Sequence, residues 1–151
     1  YDPMHPSNDF GEDENNAHTQ PDGAYHYHGD PGAMYDTSGS NVSGVIGYAA
    51  DGFPIRGPFI DDNGTIRLVE SSYVLREGNR TSQEGEGEFP GGEWNGQFRD
   101  DFEWQEGSGD LDQCNGMVVD GVYSYFVTQS YPWVMGCFVG TPDDSFRKGQ
   151  R

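Results

Sequence analysis

No stretch of this 151-residue chain keeps a 3.6-residue apolar period long enough to build a packed helix. Glycine and proline, 23 and nine of them, instead break it every few residues. Between the breaks lie short runs of aromatic and β-branched residues, with aromatics at 14% of the chain. Such runs suit pleated, half-buried strands, and the breaks suit turns. The expected fold is therefore mainly β: an antiparallel, sandwich-like or barrel-like sheet domain with long loops. A hydrophobic fraction of 32% and a net charge of −18 would also fit disorder. The aromatic residues argue against that, because each can bury a large area. The length suits one domain over residues 1–151.

Turn signals divide the chain into candidate strands. The Pro21-Asp22-Gly23 turn delivers a short strand over residues 24–28, and 42–50 reads as a buried strand. Asp51-Gly52 is a hairpin signal leading into Phe53-Pro54-Ile55. A second turn, Asp61-Asp62-Asn63-Gly64, precedes the alternation Ile66, Leu68 and the run 69–75. Residues 77–93 are charged and glycine-rich, and read as an exposed, mobile loop. Asp120-Gly121 sets up the strongest strand, 122–128, and 131–139 reads as one more extended, largely buried run. The polar, basic tail after Pro142 is expected to fray.

The formal charge excludes one class of partner. With 26 acidic against eight basic residues there is no basic stripe to displace counterions from phosphates, so nucleic acid is not an expected partner. Adaptation to a salty medium is the favoured explanation of such a charge, because the carboxylates are spread along the chain, and divalent-cation binding is the sharper alternative. No run of 18 apolar residues occurs, so no membrane insertion is expected. No Gly-X-Ser-X-Gly elbow or other marked nucleophile stands in the chain.

The chemistry concentrates in the histidines. All four, His5, His18, His26 and His28, fall within the first 28 residues. His26 and His28 are two apart on a predicted strand, so period-2 geometry puts both imidazoles on one face and Tyr25 and Tyr27 on the other. The turn at 20–23 could fold His18 back as a third ligand. Three imidazoles leave a fourth position open on zinc, and copper suits the same donors. His5, flanked by prolines, is a weaker candidate. Asp51, Asp110 and Asp112 are secondary candidates, and calcium would look to the acidic stretch Asp9 to Glu14, which lacks EF-hand spacing. Cys114 and Cys137 read as a disulfide, two buried thiols or part of a metal site. Sequons at Asn41, Asn63 and Asn79 suit surface turns.

Several blocks, in order, resemble a known family. Asn15-Asn16-Ala17-His18 and then Gln20 to Gly29, containing Tyr25-His26-Tyr27-His28, look like the signature of the YHYH-domain proteins. Gly47 to Ile55, Ser72-Tyr73 with Leu75, Gly107 to Asp112, Cys114-Asn115-Gly116, Asp120-Gly121 with Tyr123, and Gly140 to Asp143 are similar to its later blocks. The resemblance implies an exported bacterial protein, extracellular or periplasmic, and with it a Cys114–Cys137 disulfide worth about 3 kcal/mol. It also implies that this chain is the C-terminal part of a larger β domain. Missing strands would then come from the protein's own N-terminal segment or from neighbouring subunits by strand addition. Two functions follow as expectations. One is a metal-binding module of an extracellular or surface assembly. The other is an enzyme using metal-bound water, hydrolytic with zinc or oxidative with copper.

Overall fold

Two Asx-Gly turns set the tightest strand pairs in the computed structural model, which describes residues 2, 4–8, 11–14, 16–19, 25–81 and 91–146, with the backbone alone at Tyr25 and His26. In chain order the strands are β1 (Ala17–Thr19), β2 (Tyr25–Tyr27), β3 (Val45–Tyr48), β4 (Pro54–Arg56), β5 (Phe59–Asp62), β6 (Thr65–Leu68), β7 (Tyr73–Leu75), β8 (Asn79–Arg80), β9 (Gly92–Glu93), β10 (Phe102–Trp104), β11 (Gly116–Val119) and β12 (Val122–Phe126). Short 3-10 turns stand at Gly32–Met34, Arg99–Asp101 and Asp144–Phe146, and no α-helix occurs among the described residues. The fold is mainly β.

Asn63 and Gly64 (φ 53° and 90°) close the β5–β6 hairpin, and Asp120 and Gly121 (φ 51° and 78°) close β11–β12. Positive φ at both central residues is what a two-residue hairpin needs, because its twist matches that of the strands. Asp51-Gly52 turns β3 into β4, with Ala49 N donating to Phe53 O at 2.8 Å. The two hairpins β3–β4 and β11–β12 then join into a four-stranded sheet, order β11-β12-β4-β3. The join is a parallel pairing, Tyr125 opposite Ile55 and Phe126 opposite Arg56. It is the one parallel pairing among the described strands, and nothing local in either strand encodes it. The remaining pairs, β1–β2, β5–β6, β7–β10 and β8–β9, are small antiparallel ladders, and no barrel closes among the described residues.

Strand β12 is the centre of the molecule. Phe126 packs with Ile60, Val69 and Leu111, joined by Met117 and Val119 from β11. Tyr125 packs with Ala49 and Cys114, joined by Phe53, Ile55, Tyr123 and Met135. Alternation along one strand thus feeds two clusters, one on each face. Residues 124–128 are buried throughout as a result. The Tyr123 ring lies over Gly116, where a Cβ would collide with it, so glycine is required at that close approach.

Three sequence expectations need correction. The run 42–50 is a strand only at Val45–Tyr48, and Val42, Val45 and Tyr48 are exposed, Tyr48 at 72%. As the last strand of its sheet, β3 has a side that no neighbour covers. The run 131–139 is not extended. Trp133 N donates to Ser130 O and Thr128 N to Trp133 O, folding it into turns, and residues 136–139 are exposed. Within 77–93, β8 pairs with β9 and Arg80 is buried, while 82–90, the core of the expected mobile loop, lie outside the described residues. Residues 147–151 of the tail also lie outside them.

Candidate metal site at the histidine ladder

The β1–β2 ladder places His18 opposite residue 26, Ala17 opposite Tyr27 and Thr19 opposite Tyr25. His28 N donates to Asn16 O at 2.7 Å, which continues the ladder one step beyond β2. His18 and His28 are therefore diagonal neighbours across an antiparallel pair, within reach for side chains of this length. Their Nε2 atoms stand 3.1 Å apart, with the rings edge-to-face at 84°. Two imidazole nitrogens on a tetrahedral ion at about 2.0–2.1 Å would stand about 3.3 Å apart, and at right angles on a tetragonal ion about 2.9 Å. A single N–H···N hydrogen bond has the same length.

The turn around the site is braced. Asn16, at φ 55°, donates from Nδ2 to Asp30 O at 2.9 Å. The Tyr35 hydroxyl donates to Asp30 Oδ2 at 2.5 Å, while Asp30 Oδ1 is buried without a hydrogen-bond partner among the described residues. Burial pushes the Asp30 carboxyl above its ordinary range, against the lowering effect of that bond. Burial, and then Asp30 itself, push the Tyr35 phenol well up. A cleft of about 220 Å³ opens beside His28, with Tyr27, Arg99, Tyr131 and Trp133 in its wall.

The other candidate ligands have different partners. Asp51 Oδ2 accepts the Tyr125 hydroxyl at 2.5 Å and Gly140 N at 3.1 Å. Asp112 accepts Cys114 N and Gly116 N on Oδ1 and the Tyr123 hydroxyl on Oδ2. Asp110 takes both arms of the Arg67 guanidinium, at 2.7 and 2.8 Å. His5 Nδ1 accepts Ser7 N. In the acidic stretch, Asp13 Oδ1 accepts Ala17 N, and Asp9 lies outside the described residues. Among the described residues no group of three or more His, Cys, Asp or Glu is placed to hold a metal ion. The side chain of His26 is outside that set.

Cys114 and Cys137 form a disulfide, with Cα atoms 4.8 Å apart. It ties the irregular 131–139 segment to the end of β11, and Val139 N donates to the Tyr125 hydroxyl on the same side. Asn41 and Asn63 are exposed in turns and Asn79 is exposed on β8. No helix among the described residues is long and apolar enough to cross a membrane.

The family model described as YHYH protein matches residues 1–140. The chain belongs to the YHYH protein family. No curated protein and no solved structure matches it. The YHYH letters themselves occupy β2 and the residue after it, so His28 of the close histidine pair is the last letter of that motif while His18 faces it from β1. Sequence reasoning missed the buried Arg80–Asp101 pair, at 2.5 and 2.7 Å, and the Tyr123–Asp112 and Tyr125–Asp51 bonds of this YHYH chain. Nothing in the spacing of those residues announces them, because each pair spans a fold-level contact.

Proposed function

We propose that this YHYH chain is a secreted, acidic, β-rich module that binds copper or zinc through His18, His26 and His28. The observation that supports it is the 3.1 Å approach of the His18 and His28 Nε2 atoms, with residue 26 directly across the ladder from His18. A strand ladder that brings imidazoles together before metal arrives lowers the ordering cost of binding. The disulfide fits an oxidising compartment outside the cytoplasm.

Elemental mass spectrometry of the purified native protein tests the reading, with near one copper or zinc per chain expected. A protein that arrives metal-free and takes up neither ion on dialysis would end it. His26→Ala with His28→Ala should lose the metal, and retained stoichiometry would remove this ligand set. Affinity should fall on acidification, because only neutral imidazole ligates.

A second reading, a metal-dependent enzyme using metal-bound water, is favoured by the cleft that opens at His28. Assembly by strand addition is a further part of the proposal. Of the two outer strands of the four-stranded sheet, β3 carries a bulge after Val45, whereas β11 is regular and presents Val118, 65% exposed. Bulges blunt an edge, so β11 is the better template for a neighbouring subunit. A monomer at every concentration by light scattering would argue against assembly.

A further inference from the structure

Arginines in a chain of net charge −18 should find carboxylates, and most described ones do. Arg67 meets Asp62 and Asp110, Arg76 meets Glu103, and Arg80 meets Asp101. Arg99, on the 3-10 turn Arg99–Asp101, forms no ion pair among the described residues. The groups beside it that favour its charged form are the Tyr131 side chain first and then the charge of the adjacent Asp100. Its side chain lines the same cleft as His28, together with Asp2, Tyr27, Tyr131 and Trp133. The buried Asp2 lines the cleft without an ion pair to Arg99; its Oδ1 accepts the Trp133 indole N–H and Met4 N, both at 3.1 Å. Asp2 thereby fixes the Trp133 wall. Tyr131 is fixed too, stacked on Phe102 at 4.3 Å between centroids and edge-on to Tyr73.

We propose that this cleft binds a small organic acid, its carboxylate on the Arg99 guanidinium, its apolar body between the Tyr131 and Trp133 walls, and its far end at His28. A guanidinium matches a carboxylate in shape and charge, and it keeps that charge at any working pH. Rigid aromatic walls suit a flat apolar body at little entropic cost. The volume, about 220 Å³, lies below the roughly 300–1,000 Å³ of drug-sized sites, so the ligand is small and not a polymer. The proposal names a ligand class for the site described above, and it rests on the metal reading only for what happens at the far end. Binding at Arg99 stands without it.

Benzoate is the probe, titrated by calorimetry into full-length protein prepared metal-free and again with zinc added, zinc content being measured on the same samples. Benzoate should bind saturably, and Arg99→Gln should weaken it about tenfold or more. Benzamide, the neutral analogue of the same shape, should bind far more weakly than benzoate. No saturable benzoate binding, equal binding by benzamide, or unchanged affinity in Arg99→Gln would each overturn the proposal. The benzamide comparison decides the matter even if the variant does not fold. Arg99-dependent benzoate binding in a protein that takes up no zinc would leave this proposal standing while the metal reading failed.

Discussion

Asp101 is fully buried, and its carboxylate accepts four hydrogen bonds: two from Arg80, one from Gly96 N and one from Phe98 N. Burial pushes this carboxyl up, but the Arg80 guanidinium and the two backbone N–H groups outweigh it and hold the carboxyl below its ordinary range. Removing one partner of such a pair strands a buried charge. Asp101→Asn should therefore cost about 3–5 kcal/mol in denaturant unfolding, and a loss under 1 kcal/mol would refute the pair's importance. The sign of the pH dependence follows from the same shift. A depressed carboxyl contributes stability above its unfolded value, about 4, and that contribution is lost as pH falls further toward its lower folded value. Asp110, held down by Arg67 against burial, acts in the same direction. Tyr125, together with Tyr35 and Tyr123, whose phenols are also pushed up, shapes the alkaline limit. Burial first, and then Asp51, push the Tyr125 phenol up to about 12. The unfolded phenol ionises near 10, so Tyr125 stabilises the fold below about 10, and that contribution disappears as pH rises toward about 12. Tyrosinate absorbance followed alongside circular dichroism checks this: the last tyrosines should ionise only as the fold is lost.

The hairpins carry their own ladders, whereas the 131–139 segment does not. Its attachments include the Cys114–Cys137 bond, the Val139 N bond to Tyr125, the Trp133 bonds to Thr128 and Asp2, and the following Gly140 N and Asp143 N bonded to the Asp51 turn. The segment in turn covers Tyr125 with Met135 and supplies two walls of the cleft. Reduction, or paired Cys114→Ala and Cys137→Ala, should cost about 3 kcal/mol. Hydrogen exchange should speed up first across 131–140 and leave β12 protected, because β12 keeps ladder partners on both sides. Uniform loss of protection would mean that the segment is an integral part of the core.

At the scale of the whole molecule, self-repulsion opposes compaction in a chain carrying −18 charges. Added sodium chloride should raise the melting temperature through screening, and a salt-independent melting point would show that the charges are already compensated. How far this molecule could be read from its letters depends on the range of each interaction. Asn63-Gly64, Asp120-Gly121 and Asp51-Gly52 were legible as turns, because positive φ is a local demand met by few residue types. Strand β12 and the mainly β class followed from alternation and composition, again local signals. The approach of His18 to His28 was legible because period-2 geometry on a ladder that pairs residue 18 with residue 26 suffices to bring those two together. Burial of 42–50 was misread, since an apolar run cannot say whether its strand will be inner or outermost. The Tyr131 to Val139 run was misread because its aromatics pack from turns. The parallel β4–β12 pairing, the Arg80–Asp101 pair and the cleft that brings Arg99 to Tyr131 join residues far apart in sequence, and their register depends on how whole hairpins dock. The sequence by itself thus determined the turns, the strand class and the histidine hairpin, whose energies are settled within a few residues. Only the tertiary structure decided which faces are covered and which charges meet, because burial and long-range pairing are properties of the packed chain.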